Sequence, residues 1–150
     1  MQFGWINGIN TVTVIILVLI NIIAGKKGLC SDLRSTHLLV NLFEQIGRYG
    51  CMLFMILPAF TRNWKFSFGS MDKMFIWLGL TVLLLTVYIL LWMKKRNGST
   101  SILYGLATVP VILFLVNGLL LCHPALIIVS LIFGGCHLMI VHGNAHLSSR

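Results

Sequence analysis

The chain has 150 residues, with only 11 Lys or Arg and 3 Asp or Glu, while 58% of it is hydrophobic. Its mean hydropathy is +0.96, and a water-soluble domain of this length needs more polar surface, so the composition excludes an ordinary soluble fold. The net charge of +8 is read as a membrane-orientation signal and not as nucleic-acid binding, because the basic residues gather at the ends of apolar runs.

Five apolar stretches follow one another, and the expected fold is an all-α, polytopic bundle of about five transmembrane helices. The bundle forms a single domain over residues 1–150, with no repeat or linker dividing it. The first stretch, about 3–24, has no basic leader and no small-residue cleavage site, so it is expected to be a retained span and not a signal peptide. Leu29 is too bulky for Cys30 to be a lipoprotein cysteine. The second stretch covers about 37–60, with Ser35 or Thr36 as its expected cap. The third covers about 74–93. The fourth, about 102–121, carries Pro110 near its middle, where a kink is expected. The fifth and shortest, about 125–141, opens at Pro124 and carries Ser130 and Gly134, a small-xxx-small pair that lets another helix approach closely. Runs such as 81–92 lack the alternation of a membrane β-barrel strand.

The short loops set the expected orientation. Lys26, Lys27 and Arg34 follow the first stretch, Lys94, Lys95 and Arg96 follow the third, and Arg150 ends the chain. The opposite side carries Arg62 and Lys65, with Lys73 at its edge, and the uncharged turn Cys122-His123-Pro124. The positive-inside rule then places the N-terminus outside and the C-terminus inside. Trp5, Trp64 and Trp77 fall toward the outer side and Trp92 toward the inner. Asn97-Gly98-Ser99 matches a glycosylation sequon, but on an inward loop it is not expected to be used.

The second stretch holds the polar residues that need explaining. His37, Asn41, Glu44, Arg48 and Cys51 recur at steps of four and three, so on a helix they form one narrow stripe. A charge in hydrocarbon costs about 2.5–3.5 kcal/mol on insertion scales. Glu44 and Arg48 stand i,i+4 in the favourable order for pairing. Two readings stand side by side. In one, the pair is neutralised and the stripe only holds helices together. In the other, the stripe lines a polar cavity open to the inner side, where Arg48 binds an anion and Glu44 orients it or accepts a proton. His137 and His142, in the inner half of the fifth stretch, complete the expected ligand-binding set of Glu44, Arg48, Asn41, His37, His137 and His142. Asn21, Tyr88 and Tyr104 fall at similar depth.

Metal chemistry is the minor reading. His142 and His146 stand i,i+4 with His137 nearby, a spacing that can chelate zinc, but Gly143 and Asn144 interrupt the pair where the helix is expected to end. Haem would need axial ligands at matching depth, and His123, His137 and His37 do not offer them readily. No nucleophile motif or nucleotide-binding glycine loop is present, and adjacent Cys136 and His137 point about 100° apart on a helix. No cofactor is expected.

The leading expectation is a small multi-pass protein of a bacterial-type cytoplasmic membrane that binds or transports a polar or anionic ligand or a lipid headgroup. Its expected partners are the lipid bilayer and a second copy or a membrane partner subunit, with no nucleic acid. The alternatives are a membrane-embedded enzyme acting on lipid or prenyl substrates, metal-assisted through His137, His142 and His146, and a non-catalytic interaction or immunity protein.

Overall fold

The computed structural model describes residues 7–26, 37–59, 70–94 and 100–148, with side chains in the last stretch described for 101–144. Trp5, Cys30, Trp64, the capping candidates Ser35 and Thr36, the 97–99 sequon and the charges Lys27, Arg34, Arg62, Lys65, Lys95, Arg96 and Arg150 lie outside the described residues.

Five helices form: α1 (Gly8–Lys26), α2 (Leu38–Ile56), α3 (Met71–Lys94), α4 (Thr100–Leu120) and α5 (Pro124–Ser148). Four of them, α1, α3, α4 and α5, are long and apolar enough to cross a membrane. The 19 residues of α2 reach about 28 Å at 1.5 Å per residue, but Asn41, Glu44, Gln45 and Arg48 dilute its apolar character.

Each helix packs chiefly on two others, so the bundle closes as a ring in the order α1, α2, α5, α4, α3 and back to α1. The α2–α5 seam is the most extensive and both contacts of α1 are thin. Glycine sets the α2–α5 approach: a Cβ on Gly47 would stand 2.9 Å from the Phe133 backbone, and one on Gly50 would stand 2.8 Å from Val129. On α5 the small pair splits its duties. Ser130 lies 3.6 Å from the Cys51 thiol on α2, while Gly134 receives Val111 of α4.

The end of the bundle where α2 and α4 finish is solid and cross-tied. Pro58 cannot supply an N–H to continue α2, and Leu57 before it is extended, so the last carbonyls of α2 need outside donors. They receive three in succession: Asn10 Nδ2 to Met55 O at 3.0 Å, the Asn7 N–H to Ile56 O at 3.2 Å, and His123 Nε2 to Leu57 O at 3.2 Å. Asn7 also caps α1, its Oδ1 accepting from the Asn10 N–H at 3.1 Å. His123 caps α5 in the same way, Nδ1 accepting from the Leu126 N–H at 3.2 Å, which assigns the proton to Nε2. Just before it, Cys122 turns left-handed (φ 50°), and the N–H groups of Cys122 and His123 return to Leu119 O and Gly118 O in a Schellman stop. Trp77, which lies at this end, is fully buried and donates Nε1 to Asn117 Oδ1 at 2.6 Å. It is turned into the bundle and does not serve as an interface anchor.

Helices α2 and α5 differ from expectation at their ends. Helix α2 begins at Leu38 with His37 as its N-cap, whose side chain makes no capping hydrogen bond, and it stops at Ile56, short of the expected residue 60, because Pro58 ends it. Helix α5 passes through Gly143 and Asn144 to Ser148, with Asn144 Nδ2 satisfied by Ile140 O at 2.8 Å. The chain also runs helically through Pro110.

Candidate functional site

At the opposite end the ring is hollow. A cavity of about 700 Å³ lies between the C-terminal halves of α1, α3 and α5 and the N-terminal halves of α2 and α4, with walls from all five helices. One wall is the stripe of α2, which contributes Asn41, Glu44, Gln45 and Arg48. The facing wall on α4 is apolar, formed by Leu103, Leu106, Ala107, Pro110 and Phe114.

Glu44 is the fixed point of the polar wall. Its side chain is 4% exposed, and Oε1 accepts from Arg48 Nε at 3.1 Å and also from Arg48 Nη2. His137 Nδ1 reaches the same oxygen from α5 at 3.0 Å, while its ring stacks on Phe133 with centroids 4.9 Å apart. The tight α2–α5 seam at Gly47 and Phe133 brings Glu44 and His137 within reach, so the backbone contact and the polar contact belong to one piece of packing. Arg48 differs from Glu44 in one decisive respect: its side chain is 39% exposed. Both its contacts go to one carboxylate oxygen, so part of the guanidinium donor fork stays available on the cavity side.

The residues expected to form the site do not all meet. Asn41, Glu44, Arg48 and His137 line the cavity. His37 stands exposed at the helix start, away from the lining. His142 turns to Tyr104 of α4, with Nδ1 and the phenol oxygen 2.8 Å apart. On the far wall, Tyr88 of α3 donates to Asn21 Oδ1 of α1 at 2.9 Å. The cavity also uses residues that the stripe periodicity did not single out, chiefly Gln45 and Trp92. Gln45 is one step off the stripe, and an amide beside two charges in a near-apolar helix was its only sequence signal.

Among the described residues, no three His, Cys, Asp or Glu side chains gather as a metal would require. His137 and His142 are committed to different partners, and the side chain of His146 lies outside the described residues. Comparison with family models, curated proteins and solved structures found no match. The class of the protein therefore rests on fold and site: an all-helical chain, four of whose helices suit membrane insertion, with a half-polar cavity at one end.

Proposed function

We propose that this protein is a membrane-embedded binding protein that receives an anionic ligand from the inner side of the membrane, with Arg48 as its anion-binding group. In this reading α2 crosses the membrane with the other four helices, N-terminus out and C-terminus in, and the cavity opens toward the cytoplasm. The loop charges support that orientation, since Lys26 and Lys94 end α1 and α3 at the hollow end and further basic residues follow each in sequence.

The observation that carries the reading is the unequal burial of the ion pair. Glu44 is buried and has His137 as a second donor, whereas Arg48 reaches into a cavity large enough for a small ligand, within the usual ~300–1,000 Å³. A purely architectural pair needs no adjoining cavity. Glu44 keeps the cation neutralised while the site is empty, and an incoming anion adds hydrogen bonds to donors that Glu44 leaves open. Gln45 and Asn41 supply neutral polar groups beside it.

Native mass spectrometry of the full chain, purified in a neutral detergent, tests this. Anionic small molecules or lipids should be retained by the wild type and lost from the double variant E44Q/R48Q, which leaves no charge unpaired. Equal retention by both proteins would remove the anion role of Arg48.

A further inference from the structure

The cavity has two chemistries on opposite walls, and an anion alone would satisfy only one of them. We infer that its ligand is a single-chain anionic amphiphile: a carboxylate or phosphate head at Arg48 and one hydrocarbon chain along α4. This rests on the reading of Arg48 given above and narrows the ligand class.

The head position follows from donors. Arg48, Gln45 and Asn41 all line the α2 wall, and Lys26 and Lys94 end helices at the same end of the bundle, where they favour approach of negative charge. Glu44 does not repel the head strongly, because its charge is already shared between Arg48 and His137. The tail position follows from the apolar wall. Leu103, Leu106, Ala107, Pro110 and Phe114 lie along more than two turns of α4, with Met52 and Leu17 lining the same space. That wall offers no charged side chain and would be left wet by inorganic phosphate or a small organic acid. Covering it with a hydrocarbon chain removes that apolar surface from water, which favours the bound state. The volume of about 700 Å³ accommodates one chain with its head and is too small for a whole two-chain phospholipid.

The route for the chain is lateral. Helix α1 makes only thin contacts with α2 and α3, so its seams offer the easiest passage between the bilayer and the cavity. The head then travels in from the inner interface while the tail slides past α1, and neither part has to cross the cross-tied end.

Trp92 lines the cavity and reports on it directly. The full chain is reconstituted in neutral-lipid nanodiscs and titrated with a fatty acid brominated in mid-chain, a lysophosphate carrying the same brominated chain, a brominated monoacylglycerol and inorganic phosphate. The two anionic amphiphiles should quench tryptophan emission saturably, and the saturable part should vanish in W92F. Their apparent affinity should fall about tenfold or more in E44Q/R48Q, the loss expected when one charge-assisted contact is removed. The neutral monoacylglycerol should show only the unsaturable quenching of bilayer partitioning, and phosphate should compete weakly. Saturable quenching by the monoacylglycerol equal to that of the acids would overturn the inference by removing the anionic head. If inorganic phosphate stabilises the wild type against heat in an Arg48-dependent way while the amphiphiles give no saturable quenching, the tail is wrong and the anion site survives. If nothing depends on Arg48, both readings fall.

Discussion

Arg48 and Glu44 differ in what each loses when its partner is removed. In Arg48→Ala, Glu44 remains buried with His137 as its remaining hydrogen-bond donor, a loss that reaches ~3–5 kcal/mol for fully enclosed pairs. Because Arg48 is itself partly exposed, we expect a smaller cost of about 1–3 kcal/mol, read as a lower melting temperature in detergent. The double variant E44Q/R48Q should melt closer to wild type than R48A does. Identical melting of single and double variants would show that the two charges are not coupled. His123 makes a separate prediction. Burial holds its imidazole below the ordinary pKa by desolvating the protonated form, against the hydrogen bond to Leu57 O, which favours that form. A depressed pKa means that this contribution to stability is full above about pH 6.5 and is lost as pH falls toward the folded-state value. H123N keeps a capping side chain, so the difference between its pH–stability profile and that of wild type should shrink as pH falls below 6.5. A constant difference between the two profiles would count against the neutral lock.

At the scale of helices, the same substitution should have opposite signs at two glycines. Gly47→Ala drives a methyl group into the Phe133 backbone across the α2–α5 seam and should cost about 1–3 kcal/mol. Gly135→Ala meets nothing within 4 Å and should be neutral or stabilising by up to about 1 kcal/mol through helix propensity. Melting temperatures of the two variants check both signs. G47A should also weaken ligand retention, because the seam that it widens sets the distance from His137 to Glu44. Helix existence and approximate bounds were legible in sequence because apolar runs of this length have few alternatives, and the i,i+4 spacing alone put Glu44 and Arg48 in contact. The link from Glu44 to His137 was not, since 93 positions separate them and only the ring order of helices makes them neighbours. The diversion of His142 to Tyr104 was equally hidden, because which face of α5 meets α4 is a packing outcome. The run of α5 past Gly143 and Asn144 also went against local propensity, with helical hydrogen bonding prevailing over two poor helix formers.

For the whole molecule, orientation is the property that most affects function. Cys122 sits exposed in the α4–α5 turn at the solid end, whereas Cys51 is buried and Cys136 lies within α5. With the N-terminus out, a membrane-impermeant maleimide added to intact cells should label the wild type at Cys122 and leave C122S unlabelled. Modification only after the membrane is opened would invert the orientation and move the cavity to the other face.

The cross-ties on the final carbonyls of α2 have one more consequence. Asn7, Asn10 and His123 bolt the start of α1 and the α4–α5 turn to the same short stretch, so widening the bundle there would strand several backbone groups together. Among the described residues, the lining of the chamber stops short of that end. In the reading proposed above, a guest enters and leaves on the hollow side, and the molecule acts as a cup that holds or hands over its contents there in place of a tunnel between the two faces.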